Sequence, residues 1–440
     1  MVLIVGMARS GIASARLLHS RGHSVFVSDS GQPGAAEELD AVGIPYEVGH
    51  HTRSMFLDAD EIVVSPGVPL DIEPLAAARA SGVPIISEVE LAFRYLEGEV
   101  VAITGSNGKT TTTTLIGEIL KAAGRQVQVG GNIGVAMSGL VAGSTPETIN
   151  VIEVSSFQLD GIRTFRPDVS VLLNITPDHL DRYANFQAYR ASKFRIFENQ
   201  LSDDVAVLNQ DDVQVYPPPV PLKSSPRFFS QRSSVTQGAC RIGKELLLDG
   251  NRVMTVEEVP LRGAHNIENV LASMVAASCY SVDSPTIAEA VMRFKGVEHR
   301  IEFVATIQGV AFYNDSKATN VDSTIKAVES FDKNIILILG GKDKGSSYGP
   351  LVEVMRGRVK HVMLIGAAAP KISQAVGNSF PKTNVKDMAD AVARALEIGA
   401  PGDVVLLSPA CASFDMFDNY EHRGRVFKDA IRNSQFEIRN

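Results

Sequence analysis

Short aliphatic runs alternate with amphipathic stretches of helical period along the whole chain. Residues 2–5 run into Gly6-Met-Ala-Arg-Ser-Gly11, and a helical pattern continues to about His19, with Gly22 just past it. Residues 24–28 end in Asp29, residues 61–64 meet the turn Ser65-Pro-Gly67, and residues 84–86 form a last short strand. Runs of this length, bounded by glycine and separated by helices, read as buried strands paired in parallel. The pattern predicts a doubly wound, Rossmann-like N-terminal domain over 1–93.

A second domain, 94–295, opens with strand 100–103, the loop 104–108 and a helix from Lys109 to about Ala123, stopped by Gly124. Residues 150–154, 169–173 and 205–208 are further strand candidates. After Pro217-Pro-Pro219 the texture changes to short alternating segments around glycine, 238–242, 245–248 and 252–255, which predict small antiparallel strands added to a parallel sheet. Helices are expected over 266–280 and 285–294. The third domain, 296–440, holds strands 301–306, 310–314, 335–339, 361–365 and 404–407 among helices such as 389–398, a second Rossmann-like sheet. The fold class is therefore α/β, in three domains.

Composition narrows the function. The 440 residues suit about three domains at roughly 150 each. Hydrophobic residues at 45% and charged residues at 21% exclude disorder, collagen and coiled coil. Lys and Arg number 42 against 50 Asp and Glu, a net charge of −8, with no basic tail. That balance argues against a nucleic-acid partner but not against a phosphorylated ligand, which a few local amides and lysines can hold. Cys240, Cys279 and Cys411 stand far apart with no CxxC pair, as expected of free thiols in a reducing cytoplasm. The start carries no basic and apolar leader pattern, and aliphatic runs such as 335–339 fall far short of the roughly 20 residues a membrane span needs. A cytoplasmic protein without a membrane partner is expected.

The strongest chemical signal is Ala102-Ile-Thr-Gly105-Ser-Asn-Gly108-Lys109-Thr110, a strand running into a glycine-rich turn and then a helix. Amides at such a turn cradle phosphate oxygens, Lys109 neutralises the terminal phosphates, and Thr110 offers a hydroxyl to Mg²⁺. Ile103 stands where a strict P-loop has its first glycine. Glu153, at the end of strand 150–154, supplies a carboxylate where open α/β sheets bind ligands. His179 lies among carboxylates in Thr176-Pro-Asp-His179-Leu-Asp181. Lys193 sits in the helical Tyr189-Arg-Ala-Ser-Lys193 and by pattern alone reads as solvated. Gly6-Met-Ala-Arg-Ser-Gly11 is a dinucleotide-type fingerprint with Ala8 in the middle glycine place, and Asp29 ends the next strand. That short unit fits a nucleoside diphosphate better than NAD. In the third domain, the loops at 313–320, 339–345 and 408–415 all follow aliphatic strands and so project from one sheet edge, where their Lys, Ser and Thr would suit a small dicarboxylate.

Together these segments closely resemble the Mur ligase family, ATP-dependent amide-bond-forming enzymes of bacterial peptidoglycan synthesis. The resemblance spans essentially the whole chain: TGSNGKTT at 104–111, VIEVSSFQL at 151–159, TPDHLDRY at 176–183, the YRASK helix, GAHNIEN at 263–269, HR at 299–300 and YNDSKATN at 313–320. DSKATN with SPACASFDMFDNY is similar to the member that adds D-glutamate to UDP-N-acetylmuramoyl-L-alanine through an acyl phosphate. The resemblance implies ATP as co-substrate, with Gly105, Ser106, Asn107, Gly108, Lys109, Thr110 and Thr111 around its phosphates. Asn266 and Asn269 match adenine contacts, and Arg300 and Asp315 match contacts to phosphates and ribose. Two Mg²⁺ are implied, one on Thr110 and Glu153 and a second on His179, together with Lys193 converted by CO₂ into a carbamate. Ser10, Asp29, Ser65, Asn132 and His179 would hold the UDP-sugar, and Thr319, Lys344, Ser413 and Tyr420 the glutamate, with Lys342 competing with Lys344 for its carboxylate. Partners are expected to be these small molecules alone, bound by a monomer whose domains close over them. Three rivals remain at this point: a related ligase with another amino acid or a folate-type acceptor, a nucleotide-dependent switch, and a nicotinamide dehydrogenase.

Overall fold

The computed structural model describes residues 1–31, 36–178, 182–343, 345 and 347–439. The predicted positions His179 and Lys344 lie outside the described residues. The chain divides into two compact units, Met1–Pro260 with Ile267–Phe294, and Leu261–Asn266 with Lys295–Asn440.

The first unit carries two sheets. Its five-stranded sheet runs Tyr46–Val48, Val25–Asp29, Val2–Val5, Glu61–Val64, Ile85–Ser87, every neighbour parallel. Leu3, Ile4 and Val5 are fully buried because helices cover both faces. Helix Arg9–Ser20 lays Ile12, Ala15 and Leu18 on Ile4 and Val27, and Phe56, Leu75 and Ala78 pack against Leu3 and Val5. A continuous aliphatic strand is what such two-sided burial selects.

The nine-stranded sheet has Glu99–Thr104 between Val169–Leu172 and Ile149–Glu153, all parallel, with Val127–Gly131 outside Ile149–Glu153. On the other side Val205–Asn209, Ser225–Ser230 and Gly238–Ile242 continue in parallel. Glu245–Leu248 and Asn251–Thr255 then add the antiparallel extension. Two corrections follow. Gly238–Ile242 is antiparallel only to its successor, since its other neighbour is parallel. Ser225–Ser230 and Val127–Gly131 are strands the pattern did not predict: Pro226 and Arg227 interrupt one apolar run, and two glycines end the other.

The second unit holds a six-stranded sheet ordered Glu302–Ile307, Val310–Asn314, Val404–Leu407, Ile335–Gly340, Val359–Ile365, Lys382–Asn384. Its first pair is an antiparallel hairpin on the edge of the expected open α/β sheet. Gln308 and Gly309, at φ +52° and +80°, form the left-handed pair that a two-residue hairpin turn needs. The remaining pairs are parallel, so Val310–Asn314, Val404–Leu407 and Ile335–Gly340 lie side by side with their C-terminal ends on one edge. Among the described residues no helix is long and apolar enough to cross a membrane.

Candidate active site

The centre of the first unit is the turn after Glu99–Thr104. Gly105 at φ +155° and Gly108 at φ +84° bend the chain so tightly that a Cβ on Gly108 would stand 2.2 Å from Asn269 Oδ1. Neighbouring loops pin the turn. The Ser106 amide donates to the Asn174 carbonyl (2.9 Å), the Asn107 amide to Asn174 Oδ1 (2.8 Å), and the Ser106 hydroxyl to the Thr176 carbonyl (3.0 Å). Gly108 caps helix Lys109–Ala122, whose first-turn Thr110 and Thr111 are buried. Lys109 Nζ folds back onto the carbonyls of Gly105 (2.8 Å) and Ser106 (3.1 Å).

Glu153 ends the adjacent parallel strand, 2% exposed, and meets this helix directly. Its Oε2 accepts from the Thr110 hydroxyl at 2.7 Å, and its Oε1 from Asn132 Nδ2 at 2.9 Å. Three predicted site residues from separate segments thus converge on one carboxylate. Hydroxyl and carboxylate oxygens are the hard donors that Mg²⁺ takes, so the pair fits that ion.

Lys193 is 2% exposed, not solvated. Its Nζ donates to the Gly105 carbonyl at 2.9 Å, the same oxygen Lys109 uses, and lies 4.7 Å from the Tyr189 ring centre. Burial and the neighbouring Lys109 charge hold its amine well below the usual lysine range. Both effects favour the neutral amine over the ammonium.

In the five-stranded sheet, Asp29 accepts from the Met7 amide through Oδ2 and from the Gly31 amide through Oδ1, both at 2.7 Å. The Ser65 hydroxyl donates to the Gly6 carbonyl at 3.3 Å, and a Cβ on Gly11 would collide with that carbonyl at 1.8 Å. Ser10 stands on the first helical turn, so Ser10, Asp29 and Ser65 surround one glycine turn. Ala8 has extended backbone (φ −84°, ψ −176°) that any residue adopts, so its departure from glycine leaves the turn intact.

In the second unit, the three expected loops do meet. Asp315 Oδ2 accepts from the Ser408 hydroxyl at 2.7 Å, and Oδ1 from the Ile301 amide at 3.2 Å. Burial pushes the Asp315 carboxyl up to about 7, against the pull of Arg300. Arg423, 1% exposed, donates to the Ser316 hydroxyl (2.9 Å), the Ser316 carbonyl (2.7 Å) and the Cys411 carbonyl (3.1 Å). The Ser316 hydroxyl in turn donates to the Tyr420 carbonyl at 2.8 Å. Thr319 and Tyr420 are half-buried and Ser413 is buried on these loops, while Lys342 is exposed. Asn266 donates to the Arg262 carbonyl at 2.6 Å and shares helix Ala264–Ser278 with Asn269.

Family models match almost end to end. Residues 1–87 match the Mur ligase MurD-like N-terminal domain, 103–277 the Mur ligase middle domain, and 299–411 the Mur ligase glutamate ligase domain. The chain belongs to the Mur ligase family. It is 48% identical to the UDP-N-acetylmuramoylalanine–D-glutamate ligase of Koribacter versatilis, over 98% of this chain and 97% of that one. It is 49% identical to the enzyme of the same name from Acidobacterium capsulatum, over 98% and 95%. Two solved structures share the fold. A pseudomurein peptide ligase type C from Methanothermus fervidus has a TM-score of 0.63 at 20% identity, covering 98% and 99% of the two chains. MurF ligase from Thermotoga maritima has 0.62 at 18% identity, covering 94% and 96%.

Two residues of this Mur ligase escaped the sequence reading. Tyr189, whose hydroxyl lies 3.0 Å from Ser106 Oγ, had a usable signal: it precedes Lys193 by one helical turn and so shares its face. Arg423 had none, because an arginine in a polar helical stretch reads as surface charge.

Proposed function

We propose that this chain is an ATP-dependent ligase that joins D-glutamate to UDP-N-acetylmuramoyl-L-alanine in peptidoglycan precursor synthesis. The observation that carries the reading is 48% identity, over 98% of the chain, with a ligase of that name. A free carboxylate is a poor electrophile. The alanyl carboxylate therefore attacks the γ-phosphate of ATP to give an acyl phosphate and ADP. The glutamate amine then attacks the carbonyl carbon, and the tetrahedral intermediate expels phosphate.

Gly105, Ser106, Asn107, Gly108 and Thr111 present the turn and helix start to the phosphates, and Lys109 leaves its two carbonyls to neutralise them. Asn266, Asn269, Arg300 and Asp315 are proposed for the rest of ATP. Thr110 and Glu153 would hold Mg²⁺, with His179 and carbamylated Lys193 for a second ion. Bound there, Mg²⁺ supplies positive charge beside the transferring phosphoryl group. The Lys193 amine, whose neutral form is favoured, suits attack on CO₂ with release of a proton from the nitrogen to solvent, and the resulting carbamate would set a negative charge beside the cations. Ser10, Asp29, Ser65, Asn132 and His179 are proposed for the UDP-sugar, and Thr319, Lys344, Ser413 and Tyr420 for glutamate. Three domains, 1–93, 94–295 and 296–440, acting as a cytoplasmic monomer without other partners, complete the proposal.

The test is ADP release with Mg²⁺, UDP-N-acetylmuramoyl-L-alanine and a panel of amino acids. D-glutamate alone should support turnover, and Lys109→Ala should abolish it while keeping UDP-precursor binding. Equal turnover with another amino acid would overturn the specificity, and an active Lys109→Ala the phosphate site.

A further inference from the structure

Arg9 opens helix Arg9–Ser20 immediately after the glycine turn, and its side chain is exposed. Its Nη1 donates to the Gly134 carbonyl at 3.2 Å, two residues beyond Asn132. The guanidinium is thus held across the gap between two segments assigned above to the UDP-sugar, the 6–11 turn and the Asn132 loop. No acid occupies the first helical turn, and among the described residues no carboxylate lies within ion-pair distance of Arg9. Among the described residues its hydrogen-bond partner is a neutral carbonyl oxygen. The turn also has one amide fewer to offer an anion, because the Met7 N–H already serves Asp29. Arg182 also reaches backbone carbonyls of a distant segment but behaves differently. It donates to Gly67 and Val68 and lies 4.5 Å over the Phe157 ring, a fixed strut. Arg9 has one exposed contact to exchange.

We infer that Arg9 is a ligand for the diphosphate of the UDP-sugar, leaving Gly134 to grip phosphate oxygens with its planar fork. This rests on the precursor-site reading above and adds a residue to it. Alanine at position 8 removes none of this, since the added group comes from a side chain, not from the turn.

The test measures uridine, UDP and UDP-N-acetylmuramoyl-L-alanine binding by calorimetry to the wild-type chain, Arg9→Ala, Arg9→Gln and Arg9→Lys. Arg9→Ala and Arg9→Gln should lose about tenfold or more in UDP affinity with uridine affinity unchanged, and Arg9→Lys should recover part of it. The wild-type UDP affinity should fall more steeply with salt than that of Arg9→Gln. In turnover, the precursor KM should rise while the ATP KM stays fixed. Unchanged UDP affinity in both neutral variants overturns the assignment, and so does an equal loss for uridine, which marks a strut. Failure of the ligase reading shows separately, as a wild-type chain that binds UDP but releases no ADP with the precursor and D-glutamate.

Discussion

Gly108→Ala separates two costs that a glycine in the turn proposed for the ATP phosphates carries together. The first is conformational: alanine at φ +84° occupies the left-handed region at about 1 kcal/mol. The second is steric. The new Cβ would stand 2.2 Å from Asn269 Oδ1 and 3.3 Å from Leu173 Cδ1, so Asn269, 3% exposed, must move. That movement breaks the 3.3 Å bond from the Thr112 hydroxyl and strands buried polar atoms, about 1–3 kcal/mol more. Gly124→Ala is the matched control: φ is +74°, and nothing lies within 4 Å of its Cβ. It should lose only about 1 kcal/mol and keep its turnover. Gly108→Ala should lose about 2–4 kcal/mol in denaturant unfolding and at least tenfold in ADP release, since Asn269 is proposed for ATP. Equal stability and equal ADP release in the two variants would refute the packing argument, leaving Gly108 with a conformational role alone.

If Lys193 carries the proposed carbamate, Lys193→Ala should be nearly inactive yet partly restored by acetate, whose carboxylate would stand in for it; full activity without acetate sinks that proposal. Glu90 is fully buried; burial alone would raise its carboxyl, but the amides of Arg163, Thr164 and Phe165 and the Thr164 hydroxyl outweigh this and hold it low. Its stabilisation is therefore complete above the unfolded carboxylate value of about 4.3 and fades as pH falls through the lower folded value. Glu90→Gln should cost about 2 kcal/mol at pH 7 in denaturant unfolding, less below pH 4, and a cost that does not shrink in acid refutes the ionic account. Asp315, raised from 3.8 to about 7, has the opposite sign: the folded state holds the extra proton, so stability declines as pH climbs through that window. Asp315→Asn should gain on the wild type between pH 3.8 and 7 in the same assay, and a gap that stays flat across it removes burial as the cause.

What the sequence made legible was what neighbouring residues settle among themselves. The turn at 104–108 and the helix from Lys109 follow from glycines and a lysine within one short stretch, and the helix ends at Ala122, one residue from the expected boundary. Asn251–Thr255, Glu245–Leu248 and Val310–Asn314 were likewise found from alternation and glycine alone. Burial of charge was not legible, because distant segments create it. Lys193 reads as solvated until Gly105, 88 residues earlier in the chain, supplies its carbonyl acceptor. Arg423 reads as surface until Ser316, 107 residues away, does the same. Charged side chains are seldom fully buried unless something distant compensates them, so a local pattern assigns them to solvent by default. These are also the groups whose environment alters their chemistry: an amine shifted toward its neutral form, a carboxyl titrating near 7, and a guanidinium that clamps two strand-end loops. Motif reading finds the positions of such a site, whereas the protonation state each position holds is a property of the assembled sheets.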